Sequence, residues 1–263
     1  MVLFRGDIKC KSLQRRTSLS VILPADNIHY LQGTEEIVEK PYKTLYLLHG
    51  LFGSDDIFLA NTTIQKFAED HNIAVVLPSG ENSFYVDQKE SHKYYGEFIG
   101  RELVEMTRNI FPLSHKKEDT YLAGFSMGGY GAIRNGLKYH DTFGYIGAFS
   151  AALLTDDLHN WGEGDDLLSS KSFAQSCFGD LNKVIGSDMD PKFLIDDLID
   201  NDIEIPKIFM AVGDNDFLYG ENIDYYNYLK SRNVDVEFRC SSGEHTWEFC
   251  NDYIKEFIEW LPL

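Results

Sequence analysis

The stretch AGFSMGGYG, residues 123–131, contains the pattern G-x-S-x-G at Gly124–Gly128. It follows a short strand pattern, Asp119–Ala123, and precedes a helical pattern that begins near Gly129. A strand that turns into a helix within one residue strains the backbone of the intervening residue, so its neighbours must be small. The strain lifts the Ser126 hydroxyl clear of the sheet, where the helix N-terminus directs free N–H groups at whatever the serine attacks. Ser126 is therefore predicted to be a nucleophile; the alternative is a glycine-rich turn with an incidental serine.

Short apolar runs recur along the chain and predict buried strands. They are bounded by Gly or Pro and lack polar alternation, which is typical of strands buried on both faces of a sheet. Between them lie helical patterns with apolar residues at i, i+4, i+7 and i+11. The strand runs are Leu45–Leu48, Ile73–Leu77, Tyr121–Ala123, Tyr145–Phe149 and Ile208–Val212, and the helical patterns begin at Ile99 and Cys250. This alternation predicts an α/β fold with a mostly parallel central sheet flanked by helices.

The two edges of the sheet are predicted to differ from its centre. The segments IKCKSLQ (8–14) and TSLSVILPAD (17–26) alternate like an exposed antiparallel pair. The segment VDVEF, Val234–Phe238, alternates in the same way and is expected at the far edge. The sheet is therefore predicted to be mixed.

The composition limits the classes of function. The 263 residues, 43% of them hydrophobic, can build the core of one domain spanning residues 1–263. A net charge of −18 disfavours nucleic acids and anionic membranes as partners. No apolar run of signal-peptide or membrane-spanning length is present, so a cytoplasmic protein is expected. The four cysteines lack metal-binding spacing, which predicts reduced thiols and no zinc.

An acidic segment, residues 151–204, is predicted to be a mainly helical, cap-like insertion. Between Thr155 and Glu204 there are thirteen Asp or Glu residues and three Lys, which accounts for more than half of the net charge. The turn signals NWGEGDD and IGSDMDP interrupt this segment. Its carboxylates do not follow the spacing of a calcium loop, so we expect a solvated acidic face and no metal site.

A base and an acid follow the serine in the chain. A hydroxyl needs a base to remove its proton, and neutral imidazole suits this role near neutral pH. His245, in the loop SSGEHTWEF, is the histidine best placed to reach over the carboxyl edge of the sheet. The acid that orients it should follow a buried strand, and both Asp214 and Asp216 follow Ile208–Val212. Spacing alone does not choose between them; the other aspartate is expected to be a solvated turn residue.

Two backbone N–H groups are predicted to hold the negative oxygen of a tetrahedral intermediate. Met127 supplies one because it directly follows the nucleophile. Leu51 supplies the other from the loop in TLYLLHGLFGS, where Gly50 and Gly53 let the backbone turn toward the site. A plain hairpin turn is the alternative interpretation of this loop.

Six blocks of sequence together resemble the esterase family that contains tributyrin esterases, S-formylglutathione hydrolase (esterase D) and feruloyl esterases. They are LLHGLFGS, PSGENSFYVD, FIGRELVEMTRNIFPLS, AGFSMGGYGAIRNGLKYHDTF, GDNDFLY and GEHTWEF, and the likeness is weakest across the acidic segment. The bacterial tributyrin esterases are most similar, which implies an α/β-hydrolase fold, a Ser-Asp-His triad and hydrolysis of short-chain acyl esters without a cofactor. In that branch the acid immediately precedes Phe-Leu, which falls on Asp216, while the nucleophile and base fall on Ser126 and His245.

Two features depart from the relatives. The esterase D branch has a serine-glycine turn and a nearby cysteine where this chain has His49–Gly50, which makes glutathione thioesters less favoured substrates. Asp214 adds a second negative charge beside Asp216, and this charge is expected to raise the pKa of Asp216 slightly by repulsion.

The sequence therefore predicts a serine carboxylesterase that acts on small-molecule esters with acetyl to butyryl chains. Phe52 and Trp161 are predicted to line the substrate pocket, and the resemblance also allows a homo-oligomer. Alternative functions are a carbohydrate acetyl or feruloyl esterase, an S-formylglutathione-type thioesterase, an acyltransferase and a non-catalytic binding module.

Overall fold

The computed structural model of the protein describes residues 1–25, 41–163 and 169–263. The strands are β1 (Val2–Cys10), β2 (Arg15–Leu23), β3 (Thr44–Leu48), β4 (Ala74–Pro78), β5 (Asp87–Gln88), β6 (Lys93–Tyr94), β7 (Thr120–Phe125), β8 (Tyr145–Phe149), β9 (Lys207–Gly213) and β10 (Val236–Ser241). The helices are α1 (Ile57–Asn61), α2 (Ile64–Asp70), α3 (Tyr95–Glu97), α4 (Leu103–Ile110), α5 (Met127–Lys138), α6 (Lys171–Phe178), α7 (Pro191–Asp200), α8 (Tyr219–Ser231) and α9 (Trp247–Trp260). A π-helical turn, Phe98–Glu102, joins α3 to α4.

Eight strands form one sheet in the order β1-β2-β4-β3-β7-β8-β9-β10. The six strands from β4 to β10 run parallel, whereas β2 is antiparallel to both β1 and β4. Every residue of β3, β4 and β7 is buried, as expected for strands covered on both faces. The mostly parallel, mixed sheet predicted from the apolar runs is thus confirmed.

Both edges differ in detail from the sequence-based expectation. The first strand lies earlier than the alternating segment 8–14, because β1 ends at Cys10 and residues 11–14 form the turn into β2. At the other edge β10 pairs with β9 in parallel, not in the antiparallel manner suggested by its alternation. Alternation reports that one face of a strand is exposed, and it does not report the direction of the neighbouring strand.

Two apolar cores lie on the two faces of the sheet. One core includes buried side chains of α4, α5, α7 and α8, and the other includes those of α1, α2 and α9. The predicted period in α9 is confirmed, since Cys250, Ile254 and Phe257 are fully buried. In the π-turn and α4 the same period is only partly buried, because Ile110 at its end is 58% exposed. The sheet is thus covered by helices on both sides.

The acidic segment between β8 and β9 is mainly helical in its described part. It contains α6, α7 and short 3-10 turns at Leu158–Asn160 and Leu181–Lys183, and residues 164–168 lie outside the described ranges. Asp188 connects the segment to α5 through two ion pairs, in which its carboxylate lies 2.5 Å from Arg134 Nη2 and 2.5 Å from Lys138 Nζ. Burial would raise the pKa of the Asp188 carboxyl, but these two cations outweigh that effect and lower it. No helix in the described ranges is long and apolar enough to cross a membrane.

Candidate active site

The loops that follow β3, β7, β8, β9 and β10 lie at one edge of the sheet. These strands are parallel neighbours, so their carboxyl ends meet at the same edge. In open α/β sheets this edge is where ligands bind. The residues predicted from the sequence as nucleophile, acid, base and oxyanion donors all lie in these loops or directly after them.

Ser126 lies at the junction of β7 and α5 in a strained conformation, with φ 59° and ψ −119°. A side chain at Gly124 would place its Cβ 2.2 Å from the carbonyl oxygen of Gly128. A side chain at Gly128 would place its Cβ 2.0 Å from the carbonyl oxygen of Leu48. The glycines of the G-x-S-x-G pattern are thus required by backbone contacts, and they leave Ser126 at the N-cap of a twelve-residue helix.

His245 is hydrogen-bonded to Asp216. Its Nδ1 lies 2.9 Å from Oδ2 and 3.1 Å from Oδ1 of this carboxylate, whose side chain is fully buried. Oδ1 of Asp216 also accepts a hydrogen bond of 2.8 Å from the N–H of Leu218. The carboxylate can only accept here, so Nδ1 carries the proton and Nε2 is left free to act as a base.

Asp214, the competing aspartate, joins the two loops instead of contacting the imidazole. Its Oδ1 accepts from the N–H of Gly243 at 3.2 Å, and its own N–H donates to the carbonyl oxygen of Ser241 at 2.9 Å. The N–H of Asn215 donates to the carbonyl oxygen of Gly243 at 2.9 Å. Asp214 is therefore a partly solvated loop residue that holds the His245 loop against the Asp216 loop.

The pKa of the Asp216 carboxyl is lowered on balance, and the repulsion expected from Asp214 is not among the main causes of the shift. Burial, the largest single effect, would raise this pKa, but the hydrogen bonds from His245 and the Leu218 N–H outweigh it. The hydroxyl of Ser150 also lies close enough to favour the charged carboxylate, although its Oγ is buried without a hydrogen bond of good geometry. Asp214 is exposed to solvent, which screens its charge. Asp216 thus stays ionised beside the imidazole.

Two phenylalanines contact the imidazole. The ring of Phe125 stacks on His245 with centroids 4.6 Å apart and planes 25° apart. The ring of Phe217 lies at the same centroid distance with a tilt of 48° and is itself 61% exposed. Phe125 directly precedes Ser126, so the stack links the His245 loop to the residue before the predicted nucleophile. The Ser126 hydroxyl makes no hydrogen bond to any described residue.

The two backbone groups predicted as oxyanion donors are both available. Neither the N–H of Leu51 nor that of Met127 donates a hydrogen bond within the described parts of the chain. Gly50 brings the Leu51 loop against the nucleophile, because a Cβ at this glycine would lie 3.2 Å from the Cβ of Ser126. Two free donors therefore flank the serine.

His49, which the sequence did not single out, orients this loop. Its Nδ1 lies 2.7 Å from the carbonyl oxygen of Gly50, and its Nε2 accepts from the N–H of Gly80 at 2.8 Å. The hydroxyl of Tyr85 donates to the carbonyl oxygen of His49 at 2.9 Å. Burial lowers the pKa of His49, so the ring stays neutral, as both hydrogen bonds require. The only sequence signal was its position directly before Gly50.

The two predicted pocket residues lie in different surroundings. Phe52 follows the Leu51 donor and is 81% exposed, whereas Trp161 is 8% exposed and packs in the core that includes α6.

Among the described residues, no three His, Cys, Asp or Glu side chains cluster as metal ligands.

Comparison with known proteins identifies the family. The sequence model of the family described as "Putative esterase" matches residues 10–259. An acetyl esterase of Caldicellulosiruptor saccharolyticus is 41% identical over 262 residues, covering 99% of this chain and 98% of that protein. Two Staphylococcus aureus structures are each 33% identical and cover 99% of this chain and 98% of theirs. One is FphF, a fluorophosphonate-binding serine hydrolase, with a TM-score of 0.85. The other is the S-formylglutathione hydrolase FrmB, with a TM-score of 0.84.

These similarities extend over nearly the whole chain and agree with the sheet order and the serine turn described above. The chain therefore belongs to the putative esterase family, and it is a carboxylic ester hydrolase with the α/β-hydrolase fold.

Proposed function

We propose that this protein hydrolyses small carboxylic esters with acetyl to butyryl chains through Ser126, His245 and Asp216. The observation that carries the proposal is the hydrogen bond between His245 Nδ1 and Asp216, which leaves His245 Nε2 free to act as a base, while Ser126 lies in a strained turn at the N-terminus of α5. The acetyl esterase that is 41% identical supports the short acyl chain.

In the proposed reaction, Ser126 Oγ attacks the ester carbonyl carbon while His245 Nε2 takes the hydroxyl proton. The carbonyl electron pair moves onto oxygen, where the N–H groups of Leu51 and Met127 stabilise the negative charge. The carbon–oxygen bond to the alcohol then breaks, and His245 returns the proton to the departing alcohol. Water attacks the acyl-enzyme in the same way and releases the carboxylic acid. Asp216 holds the imidazole and stabilises its charged form.

The segment 151–204 is proposed to cap the acyl or alcohol side of the site. Supporting this role, the α6 side chains Phe173 and Phe178 pack on Phe84, whose N–H donates to Sδ of Met127 at 3.4 Å. Phe52 and Trp161 remain predicted pocket residues, and self-association remains a prediction.

A test is release of p-nitrophenol from acetate, butyrate and octanoate esters. We expect wild type to prefer acetate or butyrate and Ser126→Ala to lose activity by about 10⁴-fold or more, while Ser176→Ala on the exposed surface of α6 stays near wild type. Mass spectrometry after treatment with a fluorophosphonate should find the adduct on Ser126. Fastest turnover of octanoate would contradict the short-chain assignment, and an unlabelled Ser126 would contradict the nucleophile.

A thioesterase is the second candidate, because a structure described as S-formylglutathione hydrolase is 33% identical over 99% of this chain. Comparing kcat/KM for S-formylglutathione and p-nitrophenyl acetate decides between them. We expect the oxygen ester to be preferred.

A further inference from the structure

The loop formed by residues 79–86, which follows β4, contacts the Leu51 oxyanion loop at three points. Two of these are the hydrogen bonds to His49 described above, from Gly80 and Tyr85. The third is a hydrogen bond of 2.9 Å from the N–H of Phe52 to Oδ1 of Asn82.

The contact between His49 and Gly50, together with the one from Asn82, fixes the peptide planes on either side of Leu51. The carbonyl of Gly50 and the N–H of Leu51 share one planar peptide, so the bond from His49 Nδ1 to that carbonyl sets the direction of the Leu51 N–H. The next peptide contains the N–H of Phe52, which Asn82 holds. An oxyanion donor must point at the developing charge before the reaction begins, and fixed peptide planes provide this.

The backbone at Phe52 needs such an anchor. Its φ is 63°, in the left-handed region that a bulky residue adopts at a cost of about 1 kcal/mol or more. The Phe52 side chain is 81% exposed, so its own packing contributes little to holding that conformation. Among the described residues, this part of the loop is held by the Asn82 side chain and by the turn hydrogen bond between Gly53 N–H and the Gly50 carbonyl at 3.3 Å.

Asn82 is itself held by the acidic segment. Its backbone carbonyl accepts from the thiol of Cys177 on α6 at 3.2 Å. Two residues further on, the ring of Phe84 packs against Phe178, also on α6, with centroids 5.0 Å apart. A series of contacts therefore connects α6 through Asn82 to the peptide that follows the oxyanion donor.

We propose that Asn82 is a positioning residue that orients the Leu51 N–H for transition-state stabilisation. It contacts neither the nucleophile nor the base, and it acts through the Phe52 peptide. The inference rests on the proposed function, since it assumes that Leu51 holds the oxyanion. It predicts that loss of the Asn82 acceptor weakens binding of a tetrahedral, negatively charged adduct more than binding of the substrate.

The experiment compares Asn82→Leu, which keeps the approximate shape without the acceptor, with Asn82→Asp, which keeps an acceptor oxygen. Each is assayed for kcat and KM on p-nitrophenyl acetate and for inhibition by an aryl trifluoromethyl ketone. Ser126 Oγ bonds to the ketone carbon, the hydroxyl proton moves to His245, and the carbonyl oxygen becomes an oxyanion. Asn251→Ala is the matched control, since Asn251 also accepts from a backbone N–H, that of Thr63, and both residues lie outside the two loops at 49–53 and 79–86.

We expect Asn82→Leu to lower kcat about 10-fold and to raise the ketone Ki by a similar factor, with KM within about 2-fold; complete loss of a donor costs about 10²–10³-fold. Asn82→Asp should stay within about 3-fold of wild type, and Asn251→Ala should leave both constants unchanged. Wild-type ketone binding by Asn82→Leu, or equal damage in both Asn82 variants, would overturn the proposal. If the leucine variant does not fold, Asn82→Ala gives the same comparison. A wild type that neither hydrolyses esters nor binds the ketone would instead refute the proposed function.

Discussion

His245 Nδ1 and Asp216 Oδ2 lie 2.9 Å apart, although they belong to loops that follow different strands. The neighbouring Asp214 joins the same two loops, since its main chain and carboxylate contact Ser241 and Gly243. One aspartate therefore orients the base, while the other aligns the loops that carry it.

This division predicts different outcomes for two isosteric substitutions. Asp216→Asn should lower kcat by about 10⁴-fold. The amide removes the charge that stabilises the His245 imidazolium, and it favours the His245 tautomer that carries its proton on Nε2 and so cannot act as a base. Asp214→Asn keeps an oxygen that can accept from Gly243, so kcat should stay within about 3-fold of wild type. Steady-state kinetics on p-nitrophenyl acetate measures both, and a larger loss in Asp214→Asn would reverse the assignment.

The serine turn should not tolerate a methyl group. Gly128→Ala would force a Cβ within 2.0 Å of the Leu48 carbonyl oxygen, so we expect a loss of about 3 kcal/mol or more in the free energy of unfolding. Gly220→Ala is the control, because a Cβ at this helical position meets nothing within 4 Å and should stabilise by about 0.5–1 kcal/mol. Urea denaturation of the two variants checks this, and equal stability would show that the turn can relax.

Burial lowers the pKa of His49 in the folded protein below its ordinary value of 6.5. As the pH falls below 6.5, the unfolded chain binds a proton that the folded chain does not, so stability is lost toward acid. One such histidine contributes a slope of up to about 1.4 kcal/mol per pH unit. We expect His49→Asn, whose amide does not titrate, to show a smaller loss between pH 6.5 and 5 than wild type. If the free energy of unfolding falls equally in wild type and His49→Asn over this pH range, the conclusion that His49 is neutral in the folded protein is contradicted.

The fully buried Arg134 should make α5 sensitive to loss of its partner. Asp188→Ala leaves the guanidinium its hydrogen bonds to Asn135 Oδ1 and to the backbone carbonyl of residue 188, but the nearest described carboxylate is then Asp87, 3.9 Å away, so we expect a cost of about 3 kcal/mol. Glu204→Gln removes a carboxylate that is 84% exposed and should change stability by less than about 0.5 kcal/mol. Adding Arg134→Met to Asp188→Ala should recover part of the loss, and a double variant less stable than Asp188→Ala would contradict the buried-charge explanation.

The parts of the site that the sequence could predict are those encoded locally. Gly124 and Gly128 surround Ser126 within five residues, and the reason for their small size is contact within that same turn and with β3. The choice between Asp214 and Asp216 could not be made from spacing, because both follow β9 and only the position of the His245 loop separates them. The resemblance to tributyrin esterases pointed to Asp216, and the hydrogen bond to His245 agrees with it.

Other features depend on contacts between distant parts of the chain. His49 orients Leu51 only because Gly80, thirty-one residues later, donates to its ring. Asn82 was not singled out, since nothing in PSGENSFYVD shows that its side chain reaches the Phe52 N–H. The parallel pairing of β10 was missed for a similar reason. The alternation in Val234–Phe238 indicates that one face of the strand is exposed, whereas the direction of β10 relative to β9 is set by the connection through α8.

The two edge strands of the eight-stranded sheet differ in their relation to the candidate active site. Its β10 edge carries the loop with His245, whereas β1, at the opposite edge, contributes no described residue to the candidate active site. A strand added beside β1, from a fused tag or another molecule, would lengthen the sheet away from the reacting atoms. The same addition beside β10 would lie next to the strand that leads into the His245 loop. The two edges of this sheet are therefore unequal places for insertion, fusion or assembly.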